Sequence, residues 1–357
     1  MKEKIISGIQ QVGIGIKDLN EAWKWYNDIL GFDIKIFDDT GTAEKMLPYT
    51  GGKPQDRRAI LAYNLRGGGG LEIWQPMGRE LIYPKEEIIL GDYGIFSCKI
   101  KCPDVKLAFE TYKNKNVDVI NKPSLSPSGI MHFFIKDPYN NIFEIEEDNF
   151  VFADEKKTTG GVNGAIIGVS DMEKSIDFYS RILDYDTIVY DITGIFDDLQ
   201  GVPGSTNKLR RVMIKRSKPI VGPFSQLFGS SHIELVQNLE ETSKKIYENR
   251  FWGDPGFIHI CFDIRNMNKI KEEIQAIGQD FVCDGGRDFD MGDANGHFTY
   301  IEDPDGTLIE FVETFKVPIM KKLGIAINLM NRDDKKPLPR YLLKALRFGR
   351  VKIDRMT

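Results

Sequence analysis

The sequence predicts an α+β protein of four βαβββ modules, grouped as two related halves and followed by a basic tail with a short helix. Three observations carry this: an internal repeat at an offset of 153 residues, a strand-to-helix opening that recurs twice in each repeat, and a matching turn motif at the end of each half.

The repeat is direct. IQQVGIGIKDLNEAWKWYNDILGFDIKIFDDTG, from Ile9, lies over VNGAIIGVSDMEKSIDFYSRILDYDTIVYDITG, from Val162, placing Asp18 on Asp171, Tyr26 on Tyr179, Leu30 on Leu183 and Gly41 on Gly194 without a gap. The expected division is therefore an N-terminal half at residues 1–153, a polar linker at 154–161, a C-terminal half at 162–315 and the tail at 316–357.

Within each half the pattern runs twice from strand to helix and back to strands. Gln11 to Ile16 and Ala165 to Val169 read as opening strands, with helices beginning near Asn20 and Asp171. Gly94 to Ile100 with Asp104 to Asn114, and Phe257 to Ile264 with Asn266 to Ile277, repeat the opening. The halves close through the turns Asp137-Pro138-Tyr139-Asn140 and Asp303-Pro304-Asp305-Gly306, where proline and glycine suit turn positions.

Composition narrows the class. The chain has 357 residues, 41% hydrophobic, 28% charged and 11% aromatic, which excludes a disordered chain and suits two globular domains. No apolar run has the length of a membrane span, and the N-terminal stretch MKEKIISGIQQVGIGIKD reads as no secretory leader, so a cytoplasmic location is the default expectation. Cys98, Cys102, Cys261 and Cys283 form no C-x-x-C pair and sit in apolar segments, as buried free thiols do. The net charge of -5 hides a split: from Lys316 to Thr357 twelve Lys or Arg face three Asp, leaving an acidic body. Leu342, Leu343, Leu346 and Phe348 give Tyr341 to Phe348 an apolar helical face, so the tail is expected to dock on the body or on a partner subunit. No nucleic-acid motif accompanies the basic residues, and neither a nucleic acid nor a membrane is expected as a partner; the chain reads as a monomer or homodimer.

With these features, residues 8 to 315 resemble the vicinal oxygen chelate superfamily, which includes glyoxalase I, methylmalonyl-CoA epimerase, extradiol and 4-hydroxyphenylpyruvate dioxygenases, and bleomycin-binding proteins. The markers are the strand-helix openings and the two D-P-x-x-x-x-x-E endings. The resemblance implies curved sheets made by pairs of modules around a divalent metal, with one ligand from the first strand and a glutamate from the last strand of each module. One scaffold serves many reactions, so it speaks for fold more than for chemistry.

On that template the modules offer, in order, Gln11 and Glu72, Ile95 and Glu144, Gly164 and Glu234, and His259 and Glu310. If neighbouring modules pair, each half is short of a ligand. If the first module pairs with the fourth, as in fused glyoxalases, one site gains Gln11, Glu72, His259 and Glu310, which resembles the set of eukaryotic-type glyoxalase I; the other retains only Glu144 and Glu234. An imidazole nitrogen, an amide oxygen and two carboxylates suit an octahedral divalent ion (Zn, Ni, Co, Mn or Fe) with two positions open to substrate oxygens. Such an ion would polarise a carbonyl while Glu310 or Glu72, the expected catalytic pair, moves a proton between carbons. A second-half site of His232, Glu234, His259 and Glu310 is the competing arrangement, because His232 and Glu234 are two residues apart and share a strand face.

Other repeated features suggest a pocket. Arg57 and Arg58 align with Arg210 and Arg211 and offer a paired anion contact, with solvated strand starts as the plainer account. Gly67 to Gly70 read as a hairpin, Gly285 to His297 as a candidate lid, and Met46 to Gln55 as cover for the opposite side. His132 and His297 precede the closing turns one residue out of step, which aims them at opposite faces and favours surface or rim roles. The leading expectation is a metal-dependent lyase or isomerase enolising a small vicinal-oxygen or thioester substrate. An iron(II) dioxygenase and a non-catalytic ligand-sequestering protein are the alternatives.

Overall fold

The computed structural model describes residues 3–287, 289–290, 295–320 and 325–352. Its first module is built of β1 (Ile5–Gly15), α1 (Leu19–Leu30), β2 (Ile34–Ala43), β3 (Gln55–Tyr63) and β4 (Gly70–Pro76). The second contains β5 (Gly94–Cys102), α2 (Val105–Asn114), β6 (Asp118–Val119), β7 (Ser124–Leu125), β8 (Met131–Lys136) and β9 (Ile142–Glu147). The third contains β10 (Val162–Gly168), α3 (Met172–Leu183), β11 (Thr187–Gly194), β12 (Leu209–Lys215), the short α4 (Ser225–Phe228) and β13 (His232–Asn238). The fourth contains β14 (Gly256–Arg265), α5 (Met267–Ala276), β15 (Cys283–Asp284), β16 (Phe289–Asp290), β17 (Asn295–Glu302) and β18 (Leu308–Met320). Strand β19 (Ile325–Asn328) and helix α6 (Arg340–Lys344) follow.

The repeated residues explain the local structure. Asp18 and Asp171 cap α1 and α3, accepting bonds from the backbone N–H of Glu21 (3.0 Å) and Lys174 (3.1 Å), which satisfies donors that a helix start leaves free. The repeated tyrosines tie each opening helix to the closing turn of its own half: Tyr26 donates to Asp137 at 2.6 Å, and Tyr179 to Asp303 at 3.0 Å. Each aspartate also accepts from backbone N–H groups of its turn, so the Asp of the D-P motif is a structural anchor, and only the glutamate at the motif's end reaches a site.

The halves exchange strands. One sheet runs β15-β17-β18-β14-β1-β4-β3-β2 and the other β11-β12-β13-β10-β5-β9-β8-β6, so the first module shares a sheet with the fourth and the second with the third. Neighbour pairing is thereby replaced by cross-half pairing. Alternation along the strands sorts the side chains: Val12, Ile14, Leu71, Ile73, Ile260, Phe262, Ile309 and Phe311 enter the common core beneath the helices, while Gln11, Glu72 and Glu310 face a cavity on the other side.

The polar stretch 154–161 is threaded into this architecture. The Asn64 amide donates to Thr159 O and Gly160 O, and Lys157 pairs with Asp33 at 2.5 Å. The glycines of 67–70 join β3 to β4 as a hairpin and also permit a close approach: a Cβ on Gly68, whose φ is +121°, would meet the Gly161 carbonyl carbon at 2.7 Å.

The tail begins as sheet, since β18 continues through the boundary expected at 315 and pairs with β19. The remainder docks on the body: Leu343 is buried, Leu338 N–H bonds to Pro223 O at 2.9 Å, and Val351 exchanges bonds with Asp33 and Asn27. The expected helical face is shorter than the sequence suggested. Helix α6 gives way to a 3₁₀ turn over Ala345–Gly349, which turns Phe348 outward, 71% exposed. Residues 353–357 lie outside the described set. All four cysteines are buried and free.

Candidate metal centre

Four strands at the middle of the first sheet deliver the cluster. In register, Gly13 faces Glu72 across the parallel β1–β4 pair, Gly13 faces His259 across β1–β14, and Cys261 faces Glu310 across β14–β18. Gln11, Glu72, His259 and Glu310, all buried, consequently converge from modules one and four. His259 Nε2 lies 3.1 Å from Glu72 Oε2 and 3.3 Å from Glu310 Oε2, yet makes an aligned hydrogen bond to neither. Gln11 Nε2 reaches the same two oxygens at 3.4 and 3.3 Å, while Gln11 Oε1 has no partner. Ligand atoms of Glu72, His259 and Glu310 lie within 4.8 Å of one another, the one such group among the described residues.

The electrostatics of this cluster are those of acid groups and an imidazole crowded together out of water. Burial pushes the Glu310 carboxyl up to about 7, with the Glu72 carboxylate adding to the rise and His259 opposing it. Burial works against a charged His259, but the facing Glu310 and Glu72 carboxylates outweigh it and raise its pKa. Two acid groups and a bare imidazole nitrogen meet at one point, and the Gln11 amide beside them has an unpartnered oxygen, a donor set that fits a divalent ion.

Aromatic rings support the centre, and no motif in the sequence marks them. Trp252 stacks on His259 (6.3 Å between centroids, 25° between planes) and packs edge-on against Trp74 at 4.1 Å. The Tyr300 hydroxyl is 3.5 Å from His259 Nδ1. Tyr300 faces Glu310 in the β17–β18 register, a position readable only once those strands are aligned. Beside them opens a cavity of about 340 Å³, walled mainly by apolar side chains such as Phe37, Met46, Leu61, Trp74, Trp252 and Phe298. Of the Met46–Gln55 segment only Met46 lines this cavity; Tyr49, which donates to Glu302 at 2.9 Å, borders a separate one, so the expected cover is met only at its first residue. Of the expected lid, residues 288 and 291–294 lie outside the described set; Gly285, Asn295, Gly296 and His297 border the cavity.

The arginine pairs part company. Arg58 and Arg210 are the true counterparts, half-exposed and bonded to Asp38 and Asp191, whereas Arg57 borders the cavity, 2.5 Å from Asp39. Arg211 is fully buried in the other sheet, so the expected pair of anion contacts is not formed. A one-residue shift separates the repeats here: Leu61 faces Glu72 in the first, Met213 faces Glu234 in the third.

The competing second-half arrangement is also not formed. His232 Nε2 lies 3.0 Å from Glu146, and Glu234 contacts Lys99 and Arg211, in a different sheet from His259 and Glu310. The position equivalent to His259 is occupied by Ser97 rather than Ile95, since Lys99 faces Glu144 as Cys261 faces Glu310. His132 and His297 do point to opposite faces. The inward one, His132, is buried on Glu144 at 2.6 Å, correcting its expected surface role; His297 sits at the cavity rim on Asp284, also at 2.6 Å.

A family model described as glyoxalase/bleomycin resistance protein/dioxygenase superfamily matches residues 8–145 and again 161–311. The chain belongs to this superfamily. Among superfamily relatives, a lactoylglutathione lyase from Pseudomonas aeruginosa is 26% identical over 161 residues, covering 42% of this chain and 81% of the relative. Glyoxalase I from Zea mays has a similar fold, with a TM-score of 0.54 at 16% identity over 87% of this chain and 92% of the other. A putative dioxygenase from Bacillus subtilis gives a TM-score of 0.58 at 12% identity over 98% of both chains. No helix among the described residues of this superfamily member is long and apolar enough to cross a membrane.

Proposed function

We propose that this chain is a metal-dependent lyase or isomerase of the glyoxalase type, with Gln11, Glu72, His259 and Glu310 as metal ligands. The observation that supports this is the meeting of these four side chains from both ends of the sequence, with an imidazole nitrogen and an amide oxygen left without partners. A divalent ion in this cluster supplies Lewis-acid polarisation of a substrate carbonyl. The protein's own contribution is proton movement: Glu310 and Glu72 flank the same point from β18 and β4, and are placed to lift a proton from the carbon beside that carbonyl and return it. Trp252, Trp74 and Phe298 exclude water and seat the substrate's apolar body.

An iron(II) dioxygenase of this superfamily uses two imidazoles and one carboxylate. Here the cluster holds one imidazole, and His232 is committed to Glu146 in the other sheet. The lyase or isomerase reading is therefore favoured over dioxygenation.

The test is metal content by plasma mass spectrometry together with turnover on hemithioacetals and epimerisable acyl thioesters. Wild-type protein is expected to carry a divalent ion and turn over a member of that panel, and Glu72→Gln and His259→Ala to lose both. Protein purified without chelator that holds no ion at this centre would overturn the proposal; ion-independent ligand binding without turnover would replace it with sequestration, and iron-dependent oxygen uptake with dioxygenation.

A further inference from the structure

The second sheet keeps the framework of a chelating centre and fills it differently. Glu144 and Glu234 occupy the positions of Glu310 and Glu72, as the registers Lys99–Glu144 and Ile166–Glu234 show against Cys261–Glu310 and Gly13–Glu72. The other two ligand positions are Ser97, in place of His259, and Gly164, in place of Gln11. Neither supplies a strong donor. Between the two glutamates lies the Lys99 ammonium, wholly buried: it bonds to Glu144, lies 2.9 Å from Glu234 Oε2 and 3.7 Å from Glu146 Oε2.

The surroundings complete this arrangement. Arg211 Nε donates to Glu234 Oε1 at 2.6 Å and its Nη1 reaches both oxygens of Asp198, while His132 bridges Glu144 (2.6 Å) and Asp198 (3.3 Å). The ammonium and guanidinium hold Glu234 well below the ordinary carboxylate range despite burial, and the acids hold Lys99 charged. A divalent ion at the same place would have to share the two glutamates with a lysine that sits within hydrogen-bond distance of both. The residues present thus do not fit a metal.

We infer that the Lys99 ammonium is a built-in cation standing where the first sheet gathers its chelating cluster, and that removing it frees Glu144 and Glu234, with Ser97 beside them, to hold a divalent ion. The inference rests on the metal reading of the first centre only for its total count, because the decisive quantity is the difference between variants. The Ser97 hydroxyl, buried without a hydrogen-bond partner, becomes the additional donor once the ammonium is gone, while His132 Nδ1 stays bonded to Glu144 and holds that carboxylate in place.

The experiment is equilibrium dialysis of the full chain against Mn²⁺ and Zn²⁺, with folding checked by circular dichroism. Wild type is expected to bind one equivalent, His259→Ala none, and Lys99→Ala one more than wild type, an increment lost again in Lys99→Ala/Glu234→Gln. If Lys99→Ala does not fold, the His259→Ala chain still decides: an ion retained there, and removed by Glu144→Gln, overturns the inference. A folded Lys99→Ala chain with no added equivalent also overturns it. Wild type with no ion and Lys99→Ala with one would defeat the reading of the first centre and sustain this one.

Discussion

The imidazole of His259 lies flat against the backbone of Gly13: a Cβ at residue 13 would stand 2.5 to 2.8 Å from three atoms of the ring. The glycine is therefore part of the centre, setting the depth at which the ring sits between Glu72 and Glu310. A methyl group there must displace the ring by several tenths of an ångström or more.

Gly13→Ala is accordingly expected to fold and to bind a divalent ion about 10- to 100-fold more weakly, the range seen when ligand orientation is disturbed. Competition against a chromophoric chelator measures this. An unchanged affinity would show that the ring position is not set by Gly13.

Trp252 covers His259 and bears on the cavity, so its loss should be felt by substrate more than by the fold. Trp252→Phe is a reduction in size that keeps the aromatic contact with Trp74. The expected outcome is a KM raised roughly 5- to 20-fold, equivalent to about 1–2 kcal/mol of lost apolar contact. Steady-state kinetics on the most apolar active substrate provide the check, and an equal loss on apolar and polar substrates would contradict the role.

Asp263 is buried on β14, and burial pushes its carboxyl up to about 7, with Ser7 and Arg265 offsetting part of the rise and Glu313 adding to it. Because the folded value exceeds the unfolded one, the neutral acid is the form the fold favours. Its ionisation costs nothing below about pH 4, progressively more between pH 4 and 7, and a constant amount above. Asp263→Asn should therefore match wild type in acid and exceed it by on the order of 4 kcal/mol at pH 8. Urea unfolding at pH 4, 6 and 8 measures the difference; a gap independent of pH would refute it.

Leu343 anchors the tail in a satellite core with Ile34, Phe228 and Leu338, while Leu346, three residues on, borders the cavity beside the cluster. Leu343→Ala should cost about 2–4 kcal/mol. It should also loosen the cavity wall, raising KM while leaving metal content intact. Thermal unfolding and metal analysis on one sample separate the two effects; loss of the ion would mean the tail supports the centre itself.

Much of this architecture is legible in the chain. The direct repeat marks the strand-helix openings because their caps and anchors, Asp18 and Tyr26 with Asp171 and Tyr179, must recur wherever the same turn of structure recurs. The convergence of Gln11 and Glu72 with His259 and Glu310 follows from cross-half pairing, one of two arrangements that the residues left open. What was not legible depends on register. The sequence pattern puts Ile95 where the register puts Ser97 and aligns Arg58 with Arg211 rather than Arg210, because a slip of one or two residues is invisible in apolar strands yet changes which side chain faces the cavity. Lys99 carried no sequence signal as a site residue, since a lysine in a strand usually points to solvent; only the sheet shows it enclosed by acids.

The adjacency of β1 and β14 also sets a timetable. During synthesis the opening strand emerges early and can take β4 on one side, but its other edge waits until most of the polypeptide has left the ribosome. On the proposed function, an ion held at this centre would be acquired only after β14 and β18 have been made, and a message cut short before Glu310 would yield a chain that no amount of metal can rescue.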